Sequence, residues 1–170
     1  MRIQVERYKM VDEIKVKQGK TSRAQGNAFE SRVREDLEEK GFIVDKWTNN
    51  VEFENCEVMR VNGEKAMDIE KGRLVQAKPK FLFINGGMRM VGNSSGFPDF
   101  ISFKPGEVGP IIGVESKMTG ELDRPEKDKC KWLLDNGIFS KILIASKHKI
   151  KNRINIEYED FKEKYWRFYK

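Results

Sequence analysis

Gly96-Phe97-Pro98-Asp99-Phe100-Ile101-Ser102-Phe103, followed after one turn by Ile111-Ile112-Gly113-Val114-Glu115-Ser116-Lys117, decides how this chain is read. Each stretch holds an apolar run of strand length, the second bounded by glycine and proline on its N-terminal side. Asp99 stands at the start of the first strand, and Glu115 and Lys117 stand two residues apart at the end of the second. Strand side chains alternate faces, so Glu115 and Lys117 point one way and Ser116 the other. Charges at the end of a buried strand are costly unless paired or metal-bound. Two acids and a lysine gathered at a sheet end can hold a divalent metal and activate a water, which is chemistry suited to phosphodiester hydrolysis.

The acid-x-lysine triplet also occurs at Glu13-Ile14-Lys15 and Glu38-Glu39-Lys40, where it reads as a solvated face. The buried run ahead of Glu115 separates it from these. The plain alternative is a strand end carrying a Glu–Lys pair beside a Pro-Asp turn.

Outward from this centre, Thr21 or Ser22 suits the N-cap of a helix running to about Lys40. Ala28, Phe29, Val33 and Leu37 recur on one face of it. Gly41 ends that helix, and Phe42 to Trp47 reads as a strand. Residues 1–21 read as a basic segment with a short strand at Ile3 and Val5 and a further element near Val11 to Val16. Glu30 lies at the edge of the apolar stripe. It either leans toward the sheet end or pairs with Arg23, Arg32 or Arg34 on the surface.

Between the two blocks, Val51 to Val61 reads as a strand with a turn at Asn62-Gly63. Phe81 to Ile84 and Met88 to Val91 read as strands joined at Asn85-Gly86-Gly87. Beyond Lys117, Pro125 suits the first turn of a helix reaching Asn136-Gly137, with Trp132, Leu133 and Leu134 as its apolar side. Ile142 to Ala145 reads as a buried strand, Ile154 and Ile156 as another, and Phe161 to Tyr169 as an aromatic helix. The expected fold is therefore α/β.

Pro98-Asp99 with Glu115-Ser116-Lys117 resembles the motif of the PD-(D/E)xK nuclease superfamily. Gly26-Asn27-Ala28-Phe29-Glu30, with Val33, Leu37 and Gly41-Phe42-Ile43-Val44, is similar to the opening of archaeal Holliday junction resolvases. The stretch from Gly96 through Gly120, then Trp132-Leu133, Gly137 and Lys141 to Ser146, is similar to the VRR-nuc family. The matches cover about half the chain in two blocks, and their order is more specific than any one of them.

The resemblance implies a restriction-endonuclease-like core, a mixed central sheet flanked by helices, with a β-rich insertion. It divides a single domain, 1–170, into core blocks at about 22–48 and 96–157 and an insertion at about 49–95. Simple resolvases have only a short hairpin where that insertion stands. The implied activity is metal-dependent endonucleolytic cleavage of DNA, selective for structure as in a junction resolvase. Asp99 and Glu115 would ligate the metal with the carbonyl oxygen of Ser116, and Glu30 would complete the site. Lys117 would orient or help deprotonate the water. Ser95, in the loop ahead of Pro98-Asp99, matches a Ser-Gly element that approaches the scissile phosphate. Many relatives carry a glutamine at the position of Lys129, which here becomes a candidate phosphate contact. A resolvase cuts two strands symmetrically, so a homodimer is implied. Flaps, single strands or ends are alternative substrates, and a binding protein that has lost turnover is a third reading. The complete Asp99, Glu115, Lys117 set argues against that third reading.

Composition bounds these readings. The 170 residues carry a formal charge of +6, which favours a polyanionic partner. Seven basic residues face three acids in residues 1–25, and residues 140–153 hold five basic residues and no acid. Arg23, Lys147 and Lys149 come from these segments and Arg89 from the insertion, all as candidate nucleic-acid contacts. The hard oxygen donors favour Mg²⁺, with Mn²⁺ able to substitute, over zinc. One histidine, His148, cannot build a His-based zinc site or a Ser-His triad. Cys56 and Cys130 read as reduced thiols. The charged N-terminus and the lack of a long apolar run lead us to expect a cytoplasmic protein without a membrane partner.

Overall fold

The computed structural model describes residues 2–54, 57–59, 65–67, 71–84, 87–92, 96–106, 109–151 and 153–169. Its centre is a five-stranded mixed sheet. The strands, in spatial order, are β1 (Ile43–Lys46), β8 (Phe100–Phe103), β9 (Ile112–Ser116), β10 (Lys141–Ile150) and β11 (Arg153–Asp160). β9 and β10 are parallel and the other neighbours antiparallel. The parallel pair is joined through helix α2 (Arg124–Asp135), as a parallel connection requires.

Helices cover both faces, and the strand period decides which residues each receives. On one face, Phe29, Val33 and Leu37 of α1 (Arg2–Glu39) pack with Val44, Phe100, Ile112, Val114 and Ala145. On the other, Trp132, Leu133 and Leu134 of α2 pack with Ile142, Ile144, Phe139 and Leu122. Phe161 and Tyr165 of the short helix α3 (Phe161–Tyr165) close that side. The aromatic C-terminus thus goes mostly into core, with Phe168 left exposed. No described helix is long and apolar enough to cross a membrane.

Two expectations at the N-terminus are corrected. Residues 2–20 are helical, with no strand at Ile3 and Val5, and the helix passes Thr21 and Ser22 without a cap. An alternation of two residues carries little weight. The segment is rich in Lys, Arg, Glu and Gln, lacks proline, and holds one glycine, Gly19. The 38 residues of the whole of α1 make a rod of about 57 Å at ~1.5 Å per residue. Glu30 pairs with Lys46, and Arg34 donates to the Val44 carbonyl at 3.1 Å, so α1 runs antiparallel to β1. The part of α1 ahead of Glu30 lies past the Lys46 end of that strand.

Residues 49–92 supply three two-stranded antiparallel ribbons. They pair β2 (Asn49–Phe53) with β5 (Gly72–Gln76), β3 (Glu57–Met59) with β4 (Lys65–Met67), and β6 (Lys80–Ile84) with β7 (Gly87–Gly92). Val51 is buried in the α2 cluster, which ties the first ribbon to the core. The turn expected at Asn62-Gly63, the Asn85-Gly86 part of the next turn, and Cys56 lie outside the described residues.

Candidate active site

The site forms where β8 begins and β9 ends, and close packing holds it there. Gly96 and Phe97 donate their N–H groups to the carbonyls of Trp47 and Asn49 at 3.0 and 2.8 Å, and Trp47 donates to the Asp99 carbonyl at 3.1 Å. A Cβ on Gly96 would stand 2.1 Å from the Trp47 carbonyl oxygen, so only glycine fits. Pro98 is fully buried against Gly113, where a Cβ would meet its ring at 2.9 Å. These contacts set Asp99 beside the end of β9.

Asp99 and Glu115, sixteen residues apart in sequence, come together through their backbones. The Ser116 N–H donates to Asp99 Oδ2 at 2.9 Å, and the Asp99 N–H donates to Glu115 Oε2 at 3.2 Å. Their residues are 7% and 5% exposed. Burial, reinforced by the nearby Glu30 carboxylate, pushes the Asp99 carboxyl up to about 6 against the pull of the Ser116 N–H, Lys46 and Lys117. Burial and then the Asp99 charge hold Glu115 well above the usual carboxylate range. Desolvation and like charge both disfavour ionisation here, the situation a divalent cation relieves.

Lys117 extends the group. Its Nζ lies 3.5 Å from Glu115 Oε1 and is hydrogen-bonded to Glu126 Oε1. Burial works against the ammonium, but the Glu126 bond and the Glu115 charge outweigh it and raise its pKa. Glu126 is held in turn by a capping box at the start of α2. Its Oε2 accepts from the Asp123 N–H at 3.0 Å, and its own N–H donates to Asp123 Oδ1 at 2.9 Å.

Glu30 stands near enough to influence Asp99 but is ion-paired with Lys46, whose Nζ lies 4.3 Å from the centre of the Phe100 ring. Of the alternatives open for Glu30, a surface arginine is therefore not the partner. Among the described residues, no three His, Cys, Asp or Glu side chains are close enough to form a metal-holding group. Ser116 gives its N–H to Asp99, and its hydroxyl is buried with no hydrogen-bond partner.

The outer candidates scatter more. Lys129 lies half-buried on α2 with Nζ 5.5 Å from the centre of the Phe97 ring, at the foot of the Pro-Asp turn. Arg23 is exposed two turns of α1 before Glu30. Lys147 and Lys149 are exposed on the outer part of β10. Arg89 belongs to β7, with its side chain outside the described residues, and Ser95 lies outside them altogether. Cys130 is a fully buried free thiol, and His148 is an exposed residue 3.6 Å from Glu157.

Sequence reasoning missed Glu126 and Lys46. Asp123-Arg124-Pro125-Glu126 is a legible capping box, so Glu126 had a signal. Lys46 had none, because its place follows from the pairing of Lys46 with Phe100 in the sheet.

Four carboxylates, Glu30, Asp99, Glu115 and Glu126, surround two ammonium groups, Lys46 and Lys117. The donor atoms of the four carboxylates are all hard oxygens. No family model, no curated protein and no solved structure matches the chain.

Proposed function

We propose that this protein is a Mg²⁺-dependent nuclease that hydrolyses phosphodiester bonds of DNA, built on a restriction-endonuclease-like core. The observation that carries the reading is the convergence of buried Asp99 and Glu115 from separate strands, with Lys117 Nζ 3.5 Å from Glu115. Asp99 and Glu115 would hold the ion, helped by the Ser116 carbonyl and by Glu30 once it leaves Lys46. When bound, the ion supplies charge stabilisation and a water acidic enough to attack at neutral pH. Lys117 orients that water and offsets negative charge developing on the phosphorus oxygens. Glu126 fixes Lys117, and Lys46 is the counter-charge of Glu30 in the resting arrangement. A two-fold dimer would supply the paired sites that a junction resolvase needs.

A cleavage panel of four-way junction, flap, duplex and single-stranded DNA, each with Mg²⁺, Mn²⁺ or chelator, tests this. Metal-dependent cutting by wild type that Glu115→Ala abolishes is the expected result. A wild type that cuts nothing under any metal overturns the enzymatic reading.

A further inference from the structure

β10 continues past the end of its parallel neighbour. Pairing with β9 ends at Ala145 opposite Ser116, yet β10 runs on to Ile150 with only β11 beside it. At ~3.4 Å per residue this free ribbon reaches about 17 Å beyond Ala145. Its root is joined to the site, since the Lys147 N–H donates to the carbonyl of Met118, the residue after Lys117.

The ribbon has two unlike faces. Ile144 pairs with Glu115, so Ile144, Ser146, His148 and Ile150 share the face that carries Glu115 and Lys117. Register adds Arg153 and Asn155 to it, opposite Ile150 and His148. On the other face, which alternation also gives to Lys147 and Lys149, Ile154 and Ile156 look across an open trough of about 440 Å³ at Arg32, Glu35, Asp36 and Glu39 of α1. That trough is lined by charges of both signs, with Asp36 paired to Lys40. Between Ser146 and Glu157 the sequence holds Lys147, Lys149, Lys151 and Arg153 and no acid. None of these four has an ion-pair partner among the described residues. Ile150 is 49% exposed near the tip.

We propose, on the footing of the nuclease reading above, that this ribbon is a landing arm for duplex DNA, approached from the catalytic face and set into the major groove. Lys151 and Arg153 meet the flanking phosphates, and Ile150 meets base edges such as the thymine methyl. A two-stranded ribbon about 10 Å thick fits the B-form major groove, about 12 Å wide. The major groove of A-form RNA is too narrow and deep for it. Lys151 and Arg153, without an ion-pair partner among the described residues, and the exposed Ile150 beside them fit a groove better than a bare polyphosphate.

The test is binding of labelled duplex DNA and of double-stranded RNA of the same sequence, in chelator so that nothing is cut, at several salt concentrations. Wild type is expected to bind the DNA at least tenfold more tightly than the RNA. Lys151→Gln/Arg153→Gln, checked for an unchanged thermal midpoint, should lose about tenfold in DNA affinity and about two units of the salt slope. Ile150→Ser should weaken DNA binding and leave RNA binding alone. Unchanged affinity and slope in the double variant, or equal binding of RNA and DNA by wild type, overturns the arm. A wild type that cuts DNA with Mg²⁺ while the variants bind normally overturns the arm alone. A wild type that neither binds nor cuts overturns the nuclease reading with it.

Discussion

Among the described residues, two places bury carboxylates, and they treat them in opposite ways. Asp128, on α2, is 2% exposed and fully answered. Arg124 reaches its Oδ1 at 3.0 Å and its Oδ2 at 3.2 Å, and the Tyr169 hydroxyl donates to Oδ1 at 2.8 Å. Asp99 and Glu115 are buried almost as deeply, but each accepts only a backbone N–H, and the lysine 3.5 Å from Glu115 also serves Glu126. A compensated buried acid joins the C-terminal turn to its helix. An incompletely compensated pair costs folding free energy, and proteins tolerate such cost chiefly where chemistry needs it.

The contrast breaks most sharply on activity. Asp99→Asn or Glu115→Gln should lower metal-dependent cleavage by on the order of 10³-fold while raising the thermal midpoint at neutral pH. Cleavage assays beside thermal unfolding of the same samples check both halves.

Next in size is the pH dependence of stability. The Asp99 pKa is raised in the fold, from 3.8 to about 6. The folded state therefore binds more protons than the unfolded chain between these values, and stability falls as pH rises through that window. The span corresponds to roughly 3 kcal/mol. Glu115 shifts in the same direction and extends the fall to higher pH. Denaturant unfolding from pH 4 to 8 should show this decline, Asp99→Asn should flatten it, and Mg²⁺ should oppose it at neutral pH.

Asp128→Ala should do the reverse of the site substitutions. Losing the Arg124 and Tyr169 contacts should cost about 2 kcal/mol of stability, with cleavage retained; denaturant midpoints and the same cleavage assay read it. The smallest effect expected is that of Glu126→Gln. The amide still accepts from Asp123, so the helix cap and thermal midpoint persist. Lys117 loses a charged partner, and cleavage should slow about tenfold.

Much of the sheet and of the inner site was legible because the signals are local. The apolar runs before Ser102 and Glu115, the Phe29, Val33, Leu37 stripe and the Pro125 helix start each carry their own period or cap. The restriction-endonuclease-like arrangement rests on resemblance, beyond the α/β class that the mixed sheet itself displays. The helix ahead of Thr21 was hidden because its charged residues and scattered Ile and Val follow no clean period. Lys46 was hidden because its role exists only once β1 pairs with β8. The pairing of β2 with β5, across the β3–β4 ribbon, is likewise a tertiary fact.

The central proposal is that Asp99 and Glu115, only partly compensated by Lys117 and backbone N–H groups, bind a divalent cation. Titration calorimetry of Mg²⁺ and Mn²⁺ into wild type, Asp99→Asn and Glu115→Gln at neutral pH tests it most directly. The account predicts metal binding to wild type that both substitutions abolish. Absence of binding, or binding that survives both, would contradict it.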